Sequence, residues 1–247
     1  MPATAVQHAP AFRPLYLQLK DLLLRDMETR QWRPGEALPS EIELAARFGV
    51  SQGTVRKAID ALAADNLVVR RQGKGTFVAT HTEEKASMFR FLRIRRSDGR
   101  DEYPASRLLD VRRGKASAEV ARLLELKASD AVFVVRRVLE YGGEPVVLDD
   151  ITLPAALFKG LTRARLEAYR GSMYGFFETQ FGVRMLRAQE RLKAIAADSG
   201  TAAILKVRTG EPLLAVERLT RTYGERPVEW RRGLCSTRRH YYLNELG

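Results

Sequence analysis

Residues 38–79 read LPSEIELAARFGVSQGTVRKAIDALAADNLVVRRQGKGTFVA, and their reading decides the architecture. Two short helical patterns are joined by FGVS, and two strand-like pieces follow, joined by RQGKG. This order is that of a helix-turn-helix with a wing, a module that binds duplex DNA. Ser40 and Glu43 have capping-box spacing, so each can satisfy the other's open amide at the helix start. Leu44, Ala45 and Phe48 form a short apolar face, and Gly49 can end the helix in a left-handed conformation. Val50 can fill the angle between the helices. Ser51 is placed to cap the next helix. Val55, Ala58, Ile59 and Leu62 make its inward face.

That pattern leaves Gln52, Gly53, Arg56 and Lys57 near the exposed start of the second helix. Glutamine reads adenine through a paired donor and acceptor, and arginine reads guanine or holds phosphate. Gly53 allows close backbone approach, Thr54 can meet backbone or phosphate, and a helix start favours phosphate oxygen. Strands over Val68–Arg71 and Thr76–Ala79 form the wing. Arg70, Arg71 and Lys74 charge its tip between Gly73 and Gly75, suited to a minor groove or the backbone. Ser40, Ser51, Gln52, Gly53, Thr54, Arg56, Lys57, Arg70, Arg71, Gly73, Lys74 and Gly75 are therefore the candidate DNA contacts. A surface helix with a solvated basic face remains the alternative for 51–66.

The chain has 247 residues, a formal charge of +12 and a hydrophobic fraction of 45%. That length suffices for two domains with separate cores. The positive balance suits a polyanionic partner, but it is not concentrated in the wing module. Residues 1–80 hold 11 Lys and Arg against 8 Asp and Glu, while the rest carries 31 against 22. One cysteine, Cys235, leaves no basis for an intrachain disulfide framework or a cysteine-rich metal site. There is no apolar run of membrane-spanning length and no secretory pattern at the N-terminus, so a cytoplasmic protein without membrane contact is expected.

Residues 1–13 read as a flexible arm and 14–79 as the winged helix. Its first helix, 15–30, has Leu15, Leu19, Leu22, Leu23 and Met27 on one face. The polar interval 80–87 is the expected linker, in which His81 alone makes no metal site. Residues 88–247 form the second domain. There MFRFLRIRR at 88–96 alternates as an edge strand would. Strands are expected near 104–113, 131–139, 145–152, 185–196, 213–223 and 227–234, with helices at 117–126, 161–181 (broken near 170–172) and 199–205. The tail suits a last edge strand. VVRRVLEYGGEPVVLDD is echoed by AVERLTRTYGERPVEWRR, as two similar hairpins in one mixed sheet would require. The class is α+β, because the strands and few helices do not alternate as βαβ units.

These motifs identify a resemblance. PLYLQLKDLL, LPSEIELAARFGVSQGTVRKAIDAL and RRQGKGTFV resemble the GntR-type transcriptional regulators. RRVLEYGGEPV, LDDITLP, SMYGFFETQFGV, LKVRTGEPLL and RLTRTYGERPVEW resemble the UTRA effector domain of the HutC-like branch. The resemblance spans about 15–79 and 88–246. It implies a chorismate-lyase-like second domain, a homodimer on near-palindromic operator DNA, and a small-molecule effector. It also implies DNA contacts from Ser51, Gln52, Gly53, Arg56, Gly73 and Lys74. Ile42 and Gln52 stand where the family commonly has arginine, which predicts an operator unlike the usual GT/AC-flanked site.

Carried over residue by residue, Arg137, Asp149, Ser172, Tyr174 and Glu229 are the candidate effector contacts. Arg137 can clamp a carboxylate or phosphate, Ser172 offers a hydroxyl at a helix start, and Glu229 can accept ligand donors. Arg137 pairing with Asp149 or Asp150 is the competing reading, and Tyr174 as a core aromatic another. Leu139 replaces a second arginine of sugar-phosphate sensors, and His240 an aspartate of the tail motif. No cofactor, metal or enzymatic activity is expected. Two rivals stay open: an architectural DNA-binding protein without an effector, and an enzyme fused to a DNA-binding domain. Against the enzyme, no paired carboxylates, serine elbow or Cys–His arrangement is apparent.

Overall fold

A computed structural model describes residues 13–82 and 92–244. The chain divides into two units, Met1–Thr80 and His81–Gly247. Residues 1–12 of the expected arm, most of the expected linker and the start of the 88–96 strand lie outside the described residues.

In the first unit, α1 (Leu15–Glu28), α2 (Glu41–Phe48) and α3 (Gln52–Ala64) precede a hairpin of β1 (Val68–Arg71) and β2 (Gly75–Val78). Leu19, Leu23 and Met27 recur every fourth residue and are buried, and α1 packs on α3. Leu15 and Leu22, expected on the same face, are 53% and 43% exposed. Leu22 lies off the stripe that the four-residue spacing makes, while Leu15 continues it but stands at the first, open turn of the helix. The helix stops short of residue 30, where Arg30 turns left-handed at φ 63°. The capping box forms as expected: Glu43 N–H donates to Ser40 Oγ at 3.2 Å, and Ser40 N–H to Glu43 Oε2 at 2.8 Å. Gly49 closes α2 at φ 63°, and Ser51 caps α3 through the Thr54 amide. Val55, Ala58, Ile59 and Leu62 are all buried. Ala37 adds a bridge to Phe77, a third edge on the wing that the sequence did not suggest.

The second unit is built on a six-stranded sheet in the order β4-β5-β6-β9-β8-β7. Its strands are β4 (Ala105–Lys115), β5 (Ala131–Tyr141), β6 (Glu144–Pro154), β7 (Arg187–Ala196), β8 (Pro212–Arg221) and β9 (Pro227–Ser236). Every pairing is antiparallel, so the expected mixed sheet is not formed. A separate ribbon pairs β3 (Ile94–Arg96) with β10 (His240–Tyr242), which places the predicted tail strand. Helix α4 (Ala118–Leu123) joins β4 to β5, and α7 (Ser199–Leu205) joins β7 to β8. Between β6 and β7 run α5 (Arg163–Ala168) and α6 (Met173–Phe181), broken where Gly171 takes φ 144°.

The echo seen in the sequence is larger than two hairpins. Strand, short helix, strand, strand occurs twice, as β4-α4-β5-β6 and β7-α7-β8-β9, and β6 meets β9 in the middle. Ser117 and Asp198 cap the two equivalent helices, and Glu125 and Lys206 turn left-handed just after them. Ala202 and Leu205 of α7 pack on one face with Val138, Leu148 and Leu213. On the other face Phe158, Phe176, Phe177 and Met185 pack on Val135, Ile151 and Leu153.

Candidate functional site

The structure offers two separate surfaces with chemistry. The first is the start of α3 and the wing. Ser51, Gln52, Gly53, Arg56 and Lys57 are exposed there, and Thr54 is half-buried. Gly73 (φ 69°) and Gly75 (φ 104°) hold the wing tip in backbone that only glycine takes without strain, with Lys74 exposed between them. Arg71 stacks on Phe77 at 4.5 Å. Ser40 is committed to its capping box, so its hydroxyl serves the helix first.

One carboxylate gathers several of these groups. Glu41 accepts Arg56 Nε and Nη2 at 3.1 and 3.0 Å and Gln52 Nε2 at 3.5 Å, with Arg70 at 3.7 Å. Arg70 also pairs with Asp60 at 2.7 Å. Glu41 thus orients the donors of α3 and the wing in the free protein. Ile42 is 68% exposed, an apolar side chain on a polar face.

The second surface is a pocket of about 540 Å³ over the sheet, within the range of small-molecule sites. Three of its lining residues, Arg137, Arg218 and Arg231, belong to a row of charges crossing five strands. Arg137 on β5 donates to Asp149 on β6 at 3.0 Å. Asp149 accepts Arg231 of β9 at 3.3 Å, and Arg231 Nε also donates to Glu229 at 2.5 Å. Arg218 on β8, the register partner of Arg231, donates to Glu190 on β7 at 2.7 Å. Tyr174 bridges the like-charged neighbours: its hydroxyl accepts Arg218 at 3.3 Å, and its ring lies under the Arg231 guanidinium at 5.3 Å.

Burial governs the electrostatics. It lowers the Arg137 guanidinium from its ordinary value, with Asp149 offsetting part of the effect. For Asp149 burial acts upward, but Arg231 and Arg137 outweigh it and hold the carboxyl below its usual range. Burial raises the Tyr174 hydroxyl, so it stays a donor as well as an acceptor. Arg231 Nη2 and Glu229 Oε2 are buried and find no hydrogen-bond partner among the described residues.

The pocket is lined by Arg137, Arg218, Arg231, Ser172 and Tyr174, with Arg170 and Glu167 also among its lining residues. Asp149 and Glu229 are not on this wall; each pairs with an arginine that is. The Arg137–Asp149 pair left open in the sequence is formed, and Arg137 still lines the pocket; Asp150 pairs with Arg136 on the opposite face. Sequence reasoning missed Arg218, Arg231 and Glu190. The echo held the signal for Arg218, which occupies the position of Arg137 in the second copy. Ser172 caps α6 by accepting the Gly175 amide at 2.9 Å, and Tyr174 is 6% exposed. The wall therefore suits an anion with an apolar body.

Comparisons with known proteins match both units. Residues 15–78 match the model described as bacterial regulatory proteins, gntR family, and residues 99–241 match the UTRA domain. The chain is 28% identical over 227 residues to a Shigella flexneri protein named "Probable fructoselysine utilization operon transcriptional repressor", covering 91% of each chain. It is 29% identical over 233 residues to the histidine utilization repressor of Pseudomonas putida, covering 92% of this chain and 90% of that one. The crystal structure of a ligand-binding domain assigned to the GntR family, from Bordetella bronchiseptica, superposes with a TM-score of 0.61 at 46% identity. It covers 64% of this chain and 98% of that chain. No helix among the described residues is long and apolar enough to cross a membrane.

Proposed function

The chain belongs to the GntR family of bacterial regulatory proteins and carries a UTRA domain, and from that premise we propose a ligand-responsive repressor that acts as a cytoplasmic homodimer on operator DNA. Sequence-specific DNA binding is the function of the first unit. The observation that carries the residue-level reading is the exposed start of α3 beside a wing tip held by two left-handed glycines. Gln52 and Arg56 read base edges. Ser51, Thr54, Lys57, Arg70, Arg71 and Lys74 hold phosphates, and Gly53, Gly73 and Gly75 allow backbone approach. Glu41 gives up its hold on Arg56 when a phosphate or base takes the guanidinium.

The second unit binds a small anionic ligand through Arg137, Arg218, Arg231, Ser172 and Tyr174, with no catalysis and no cofactor. Relatives named for fructoselysine utilization and histidine utilization support a metabolite as that ligand. Ligand binding shifts the dimer away from the geometry in which two α3 helices enter major grooves about 34–36 Å apart.

Selection by the full-length protein from a randomised duplex library at low salt tests this. Paired half-sites should emerge, and Gln52→Arg should change the preferred base opposite the start of α3. Lys57→Ala should reduce the slope of log affinity against log salt by about 1 without altering preference. A folded protein that retains no duplex would end the proposal.

A further inference from the structure

The charges at the pocket are matched in sign and number. Arg137 pairs with Asp149, Arg231 with Glu229 and Arg218 with Glu190, three guanidinium groups against three carboxylates. Arg170 and Glu167, the other charged residues of the lining, are both exposed and opposite in sign. Arg93 comes within 3.8 Å of Glu190, but its side chain is 34% exposed and it does not line the pocket, so water and salt screen it. The pocket is rich in arginine and yet carries no net charge.

The guanidinium donors are committed as well. Arg137 gives Nε to Asp149 and Nη1 to Ser106. Arg218 gives Nε to Glu190 and Nη1 to Tyr174, and Arg231 gives Nε to Glu229 and Nη1 to Asp149. Among the buried nitrogens of these groups, Arg231 Nη2 finds no hydrogen-bond partner among the described residues. An unmatched buried donor is costly, and an acceptor brought in from outside relieves it. Gly171, Ser172 and Met173 also line the pocket, so the start of α6 adds a positive partial charge of about one half.

One spare donor and half a positive charge suit a single carboxylate. A doubly charged group leaves more than one negative charge unanswered away from water, unless it strips an arginine from its own carboxylate, which is no cheaper. An uncharged group gains nothing from the helix start. Leu108, Leu139, Leu166, Met173 and Phe176 give the rest of the wall, which favours an apolar body over a hydroxylated one. We propose that the ligand of this pocket is an organic monocarboxylate with an apolar body, and that the paired row turns phosphate esters and dicarboxylates away. The inference rests on the effector reading above and names the chemical class of that effector.

The test compares one ring in three charge states on the full-length protein: benzamide is uncharged, benzoate singly charged and phenyl phosphate doubly charged at about pH 8. Benzoate should raise Tm, and calorimetry should find it binding about tenfold tighter than either of the others. In competition with benzoate, phenyl phosphate should gain affinity as pH falls through its second pKa of about 6 and it becomes a monoanion. Glu190→Gln leaves the row with one net positive charge, so it should narrow or reverse the preference for benzoate over phenyl phosphate. Phenyl phosphate that competes at about pH 8 as well as benzoate itself overturns the class and leaves an anion site standing. A folded Glu190→Gln protein with the wild type's preference overturns the charge matching from which the class was inferred. If that variant does not fold, the wild-type series decides alone. A wild type that none of the three compounds stabilises removes the pocket reading and the class together.

Discussion

At position 233 a missing methyl group keeps the charge row in register. A Cβ on Gly233 would lie 2.9 Å from Asp149 Oδ1. Asp149 cannot move away freely, because it is bonded to both Arg137 and Arg231. Gly233→Ala should therefore destabilise the protein by about 1–3 kcal/mol, the usual cost of overpacking. Denaturant titration would show it, and an unchanged midpoint would mean that Asp149 has room to spare. Single residues also show where sequence reading ended. Arg137 was recognisable within a hairpin motif. Arg231 was not, because its burial depends on strands β6 and β8 lying on either side of β9. His81 looked like part of a polar linker, and only its contacts with Glu178, Ser172 and Met185 show it to be buried.

Among the elements, the helices announced themselves by their ends. Ser40, Ser51, Ser117, Ser172 and Asp198 each accept the amide three residues on, and Gly49 and Gly182 close α2 and α6 left-handed. These signals are local, so Ser40, Gly49, Ser51 and Ser172 could be read without a structure; Ser117, Asp198 and Gly182 were not read as helix ends. Ser51 can separate two roles of one residue. Ser51→Ala should lower stability by about 1 kcal/mol through loss of the cap. Ser51→Asp should keep the cap and the stability, yet lower duplex affinity by placing a negative charge beside phosphate. Equal duplex affinity for wild type and Ser51→Asp, measured by fluorescence anisotropy, would take Ser51 off the DNA. Strand direction was less accessible. The hairpins were visible, but the pairing of β6 with β9 joins residues some eighty positions apart, and no local pattern encodes it.

For the whole molecule, net charge is a poor guide to where the chemistry lies. The second domain carries most of the positive excess, yet its inner arginines are matched by Asp149, Glu229 and Glu190. This matching makes stability depend on acid. The Asp149 carboxyl is held below its ordinary 3.8 in the folded state. Its contribution is complete above that value and is lost as pH falls through the lowered one, because the unfolded chain binds the proton first. Denaturant midpoints should accordingly hold steady down to about pH 4 and fall below it. Asp149→Asn should flatten that fall at the cost of a lower midpoint at neutral pH. An acid limb as steep in Asp149→Asn as in the wild type would place the titrating group elsewhere.

The amino-acid sequence alone determined the caps of α2, α3 and α6, the glycine-tipped wing, the apolar stripe of α3 and the existence of two related hairpins. All of these depend on residues within a few positions of one another, where backbone preference and periodicity act directly. Only the tertiary structure decided that the repeat closes into one antiparallel sheet, that its strands align Arg137, Asp149, Arg231, Arg218 and Glu190 into one charged row beside the pocket, and that His81 is buried against Ser172. Those outcomes depend on which distant strands become neighbours. The reason is burial: a guanidinium in the interior is tolerable only where a carboxylate from another strand meets it, and that meeting exists only once the sheet has formed.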